Sequence, residues 1–168
     1  MDVATWDWRP DSAYVQAGAS TREARVAGVG LRWNSPWPAG HWGPRWSGAL
    51  DVTVSVWSAP IMLGGTDREH TTHWAVVPTV RRQLGQAHSP WFAEAGLGLS
   101  LHHHRYRVEG LVQSSRWNFQ EVVALGRRLG EGAGSSEVSL RLSHLSNAGL
   151  RRPNPGETWW AVRWSHSF

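Results

Sequence analysis

The feature that most constrains this chain is a two-residue alternation that recurs, in segments of about ten residues, along most of its length. A period of two puts successive side chains on opposite faces of an extended strand. The clearest instance sets Leu50, Val52, Val54 and Val56 against Ala49, Asp51, Thr53 and Ser55. A later one sets Trp91, Ala93, Ala95, Leu97, Leu99 and Leu101 against Phe92, Glu94, Gly96, Gly98 and Ser100. Helix signals are weak and glycine is frequent, so the chain reads as all-β. Eight strands are predicted, at about Ala13–Ala19, Arg25–Trp33, Ala49–Val56, Trp74–Arg81, Trp91–Leu101, Phe119–Leu129, Glu137–Ser146 and Thr158–Phe168. Pro78 cannot donate to a ladder, which predicts a bulge or local defect in the fourth. No repeat or boundary interrupts the series, giving a single domain over residues 1–168.

Strands of this length, apolar on one face and small or polar on the other, are what an eight-stranded antiparallel transmembrane β-barrel needs. A soluble barrel or sandwich would turn the apolar face inward and would have to house several large Trp. The polar face carries Asp51, Arg81, Glu94, Arg141 and Arg163, suited to a structural charge network filling a narrow interior. There are 13 Trp against 3 Phe and 2 Tyr. Trp33, Trp46, Trp74, Trp91 and Trp160 recur near strand ends, as in an interfacial aromatic girdle. The chain finishes on Phe168 at the end of an alternating strand, which resembles the C-terminal signature of bacterial outer-membrane barrels. A mean hydropathy of −0.41 is compatible with this, because transmembrane strands are apolar on one face only.

Several classes are disfavoured. No apolar run is long enough for a transmembrane helix. The start, MDVATWDW, lacks a basic region followed by an apolar stretch, so no signal peptide is expected and an exported form would be mature with an added Met. The absence of Cys excludes a disulfide scaffold, a thiolate zinc site and a Cys nucleophile. A net charge of +4 and a pI of about 10.9 favour acidic partners such as phosphates or an anionic lipid surface. No recognised nucleic-acid motif accompanies that charge, so no nucleic-acid partner is expected.

Connection lengths orient the barrel. Gly85–Ser89 and Gly130–Ser136 are short, whereas Ser58–Thr72, His102–Asn118 and Asn147–Glu157 are longer, and they alternate as periplasmic turns and outer loops do. Asn34–Pro44 is longer than that rule expects. The seventh strand then runs outward. Its Val138, Leu140 and Leu142 face lipid, and the same parity brings His144 and Ser146 to the lipid face at the outer leaflet. A Ser with a His two residues before it on one face can form the nucleophile–base pair of acyl transfer. Asn147 and the amides of Ala148 or Gly149 are near enough in sequence to stabilise an oxyanion. His102, His103 and His104 point to alternating faces of an extended chain and read as a solvated loop. Arg105, Arg107, Arg116, Arg151 and Arg152 fall in or beside outer loops, where phosphates could be gripped.

A His-x-Ser pair is common, and the specificity lies in the longer string. Ser-His-Leu-Ser-Asn-Ala-Gly-Leu, followed by Pro153-Asn154-Pro155-Gly156-Glu157, resembles the signature of the PagL family of outer-membrane lipid A 3-O-deacylases. Pro-Trp-Phe-Ala-Glu-Ala-Gly-Leu-Gly at Pro90–Gly98 and Asn118-Phe119-Gln120 are similar to that family too, within short matches running from Ala24 to Phe168. The resemblance implies an eight-stranded outer-membrane barrel that hydrolyses the ester-linked acyl chain at position 3 of lipid A with a Ser-His-Glu triad, no metal and no cofactor. It assigns Ser146 as nucleophile, His144 as general base, and Asn147 and Gly149 to the oxyanion hole. The acid is the point of departure: ungapped matching puts Thr158 where the best-known members have Glu, and this chain has Glu157 one residue earlier. Parity makes Thr158 lipid-facing and Glu157 interior-facing, so Glu157 can orient His144 only if a bulge or the Pro155-Gly156 turn resets the register. Glu157 is the expected acid. Lipid A (lipopolysaccharide) is the expected substrate, outer-membrane lipids are the surroundings, and a homodimer is an open assembly state. The alternative is a non-enzymatic structural barrel.

Overall fold

The computed structural model describes residues 8–35, 39–86, 89–108 and 111–168. The first seven residues, three in the Asn34–Pro44 connection, two in the Gly85–Ser89 turn and two in the His102–Asn118 loop lie outside the described residues. The strands are β1 (Ser12–Ser20), β2 (Arg25–Ser35), β3 (Trp46–Pro60), β4 (Arg68–Gln83), β5 (Trp91–His102), β6 (Arg107–Val108), β7 (Leu111–Val112), β8 (Trp117–Leu129), β9 (Ser136–Ser146) and β10 (Glu157–Ser167). One turn of helix, α1 (Ala39–Trp42), sits between β2 and β3. Every strand of the barrel pairs antiparallel with its neighbours in the order β1-β10-β9-β8-β5-β4-β3-β2, and the β1–β10 ladder closes it. The fold is an eight-stranded antiparallel transmembrane β-barrel. Closure leaves no edge and pairs the backbone polar groups, the condition for strands to cross a lipid phase.

Alternation decides which face is which. Val15, Val29, Val54, Val76, Leu97, Leu99, Val123, Leu125, Leu140 and Val162 are exposed on the outer wall, an apolar band that water would penalise and lipid accepts. Trp74, Trp91, Trp117, Trp160 and Trp164 are exposed on the same wall. Among the described residues two Trp do point inward, Trp57 and Trp159, with ring centroids 4.7 Å apart.

The interior is filled in two layers. In the middle, Arg32, Arg81, Arg141 and Arg163 interlock with Asp51, Glu94 and Glu137. Glu94 accepts from Arg32 at 2.5 Å, Arg81 at 2.9 Å and Arg141 at 2.8 Å. Toward the end bearing loops 103–116 and 147–156, here the loop end, Trp57, His73, His102, Tyr106 and Trp159 pack together. Only about 10 Å³ of cavity remains between Asp51, Gln120 and Arg141, less than a bound ligand needs. At that level the interior is filled by side chains and leaves no room for a bound ligand.

Some predicted boundaries move. β3 and β4 continue past the expected Ser58–Thr72 loop, pairing Ser58 with His70 and Pro60 with Arg68, so the connection is residues 61–67. Polar residues occupy both faces of that extension, which hides a strand from periodicity while the backbone ladder persists. β4 pairs Val76 with Leu99 and Thr79 with Gly96, and the ladder to β5 is open at Val77 and Pro78. The register is the same on both sides of that gap, so Pro78 makes a local defect and not a bulge. His102 is fully buried as the last inward residue of β5, stacked on Tyr106 with centroids 5.3 Å apart. The expected solvated loop therefore starts one residue later, with His103 exposed and His104 bonded to Glu69 at 2.9 Å.

Candidate active site

β9 alternates without interruption to its end. Ser139, Arg141, Ser143 and Leu145 are buried inside, whereas Leu140, His144 and Ser146 lie on the outer wall. The ladder to β10 runs unbroken from Glu157↔Leu145 and Thr158↔His144 to His166↔Ser136. Directly opposite residues share a face, so Thr158 stands beside His144. Its Oγ1 is 2.7 Å from the imidazole Nδ1. No bulge resets the register, and Glu157 remains inside, 2 % exposed, with the Tyr106 hydroxyl donating to its Oε2 at 3.5 Å. The position expected for Glu157 is filled by Thr158. The reason is parity, because one residue along a strand is the other side of the wall.

The hydroxyl at Nδ1 leaves Nε2 as the nitrogen available for proton transfer. Gly156 packs against that edge of the ring: a Cβ there would lie 3.0 Å from Cε1 and 3.3 Å from Nε2 of His144. Its φ of 60° is left-handed as well, so glycine answers two demands at one position. The turn is held from outside by Arg22, which donates from Nη1 to the carbonyls of Pro155 at 3.2 Å and Gly156 at 2.8 Å.

Beyond Ser146 the chain makes a tight turn, with Leu150 donating to the Asn147 carbonyl at 3.0 Å and positive φ at Ala148 (54°) and Gly149 (76°). The Ala148 amide donates to Ser146 Oγ at 3.3 Å, placing a backbone donor beside the hydroxyl. Asn147 and Gly149 are otherwise engaged. The buried Asn147 amide group donates to Ser114 at 3.0 Å, Ser115 at 3.3 Å and the Arg151 carbonyl at 3.0 Å. Gly149 donates to Asn147 Oδ1 at 3.0 Å. Asn147 thus ties loop 147–156 to the segment before β8 and turns away from the outer wall. Asn154, which carries no chemical signal within a Pro/Gly turn, accepts the Asn147 amide at 3.1 Å and is held next to the same peptide.

The ladder between β8 and β9 adds a residue that periodicity did not single out: Glu121 is directly opposite His144, exposed on the outer wall. Of the loop arginines, Arg116 donates to the His102 carbonyl at 3.1 Å and Arg107 lies 3.7 Å from Glu69. Arg105, Arg151 and Arg152 are exposed at the loop end. There too, burial and the neighbouring Glu157 carboxylate push the Tyr106 phenol up, which keeps it a protonated donor.

A hydroxyl, an imidazole fixed at one nitrogen and an amide beside the hydroxyl are the elements of acyl transfer, set here on an apolar wall. The model of the family described as lipid A 3-O-deacylase (PagL) matches residues 27–167. The lipid A deacylase PagL of Bordetella bronchiseptica is 30 % identical over 133 residues, covering 76 % of this chain and 68 % of that protein. The lipid A deacylase PagL of Pseudomonas aeruginosa is 29 % identical over 144 residues, covering 83 % and 76 %. A crystal structure of the outer membrane enzyme PagL superposes with a TM-score of 0.75 at 22 % identity, covering 94 % of this chain and 99 % of that one. With the family's model spanning nearly all of the barrel, this chain belongs to the lipid A 3-O-deacylase (PagL) family.

Proposed function

We propose that this protein is a serine esterase of the outer membrane that removes the ester-linked acyl chain at position 3 of lipid A. In this reading the chain works as one barrel domain whose loop end faces outward and whose site opens sideways into the outer leaflet. Ser146 Oγ attacks the ester carbonyl carbon while His144 Nε2 takes its proton. The Ala148 amide donates to the developing oxyanion. The C–O bond to the sugar then breaks, and His144 returns the proton to the departing 3-hydroxyl. Water, deprotonated by the same nitrogen, attacks the acyl carbon; the bond to Ser146 Oγ breaks, His144 returns the proton to that oxygen, and the fatty acid is freed. Thr158 accepts from Nδ1–H and fixes the tautomer that leaves Nε2 basic, the orienting role that a carboxylate fills in other triads.

The observation that carries this reading is the placement of His144 and Ser146 on the lipid-facing wall, with Nδ1 held at 2.7 Å by Thr158. Polar groups there are costly to keep unless they act on something in the bilayer. A substrate held in the leaflet by its acyl chains presents its ester to that wall without leaving the membrane. Exposed Arg105, Arg151 and Arg152 border the same end and suit its phosphates. Mass spectrometry of lipid A incubated with the refolded wild type and with Ser146→Ala tests the reading. The wild type is expected to release one 3-linked acyl chain and the variant none. A wild type that releases nothing rejects it in favour of a structural barrel, and a variant that still releases the chain rejects Ser146 as the nucleophile.

A further inference from the structure

Among the described residues, Glu121 is the one carboxylate on the outward faces of the eight barrel strands. Its neighbours on that face are Leu97 across β5, Phe119 and Val123 along β8, and His144 across β9. Only the last is polar. A lone acidic side chain facing lipid is expensive to solvate, and such a residue calls for a partner and a purpose. Directly opposed residues on antiparallel strands have Cβ atoms about 5 Å apart. His144 is therefore flanked on one side by a neutral hydroxyl in contact, Thr158, and on the other by a carboxylate.

We propose that Glu121 is the carboxylate of this site, a positioning residue that acts through His144 from the opposite flank to Thr158. The inference rests on Ser146 and His144 being nucleophile and base. When Ser146 gives up its proton, His144 becomes an imidazolium with an apolar wall around it. Thr158 can hold the ring but brings no charge to offset the one that forms. Glu121 supplies that charge from across the β8–β9 ladder, where the low local dielectric strengthens the attraction. It takes up no proton: the imidazolium keeps it until the leaving oxygen receives it. The labour one acid performs elsewhere is divided here, with geometry assigned to Thr158 and charge to Glu121.

The test measures hydrolysis of lipid A by the full chain refolded in detergent. Glu121→Gln keeps the shape and removes the charge, so kcat is expected to fall roughly ten- to a hundredfold, toward the low end of what an acid–base partner contributes, with KM nearly unchanged. Glu121→Asp keeps the charge and is expected to lie between the two. Adding Thr158→Glu to Glu121→Gln puts a carboxylate at the contact already made to Nδ1 and is expected to recover most of the loss. A purely structural Glu121 would not be rescued from the other flank. Wild-type kcat in Glu121→Gln overturns the proposal. So does an unrescued loss in a double variant that keeps heat-modifiable migration. If the double variant does not fold, Glu121→Asp decides: activity above that of Glu121→Gln supports the proposal, and equality overturns it. Failure of the underlying reading looks different, because Ser146→Ala would then be as active as the wild type.

Discussion

Inside the barrel, Glu94 and Asp51 each face three arginines; outside, on some of the same strands, His144 is held by one neutral hydroxyl and Glu121 has a single polar neighbour. The contrast separates two uses of polar side chains in a membrane protein. Buried charges survive in the interior because each is compensated several times over, and a network saturated in this way has little chemistry left. The outer cluster is under-compensated, and in the proposed reading its hydroxyl, imidazole and carboxylate thereby keep capacity to respond to a substrate. Loss of an inner group should therefore cost stability, and loss of an outer one activity.

The largest expected effect tests the outer half of that contrast. Ser146→Ala should lower kcat by about 10⁴-fold or more, as removal of a nucleophile does elsewhere. The denaturant midpoint of the barrel should stay at its wild-type value, because the hydroxyl bonds only the adjacent Ala148 amide. A large drop in that midpoint would mean the outer cluster is structural as well.

Glu94→Gln probes the inner half. It leaves Arg32, Arg81 and Arg141 facing one another without their shared anion. Breaking a buried ionic network in this way costs about 3–5 kcal/mol. The urea concentration at which the folded, fast-migrating form disappears should fall accordingly, while acyl release per folded molecule stays near wild type. Activity lost in proportion to the mutation, at equal folded fraction, would merge the two regions.

Much of this division was legible in the sequence. Alternation placed Asp51, Arg81, Glu94, Arg141 and Arg163 inside and His144 and Ser146 outside, because a period of two transfers directly to a wall with two faces. The same count put Thr158 outside and Glu157 inside. What it did not supply is who stands next to whom. Glu121 sits in a stretch, Gln120-Glu121-Val122-Val123, where adjacent residues share polarity and the period blurs. Only the cross-strand register brings it opposite His144. Asn147 shows the same limit: nearness in sequence to Ser146 says nothing of its three hydrogen bonds to residues 114, 115 and 151. The extensions of β3 and β4 carry polar residues on both faces, so their ladder leaves no mark on hydropathy.

Thr158→Val sharpens the comparison further, since it removes a hydrogen bond and adds no charge. It should cost about tenfold in kcat, equivalent to roughly 1.4 kcal/mol, the net worth of one good hydrogen bond. KM should stay unchanged, because the contact that Thr158 makes is with the imidazole. An effect as large as that of Ser146→Ala would mean that the hydroxyl does more than fix the tautomer.

The smallest effect lies at the boundary between the regions, where Tyr106 caps the interior from loop 103–116. Its phenol is buried, bonded to Glu157 and held above its ordinary pKa of 10.0. A group whose pKa is raised by folding stabilises the folded state fully below its unfolded pKa. That contribution is lost as pH climbs, because the unfolded chain ionises first. The wild-type barrel should therefore weaken above about pH 10, and Tyr106→Phe should weaken less there. Near neutral pH the variant should lose no more than about 1 kcal/mol, the worth of a single long hydrogen bond. Denaturant midpoints at neutral pH and above pH 10 read both effects. Acyl release should be unmoved, since Tyr106 lies on the inner side of the wall from His144; a change in activity at neutral pH would show that the interior cap reaches through the wall to the site.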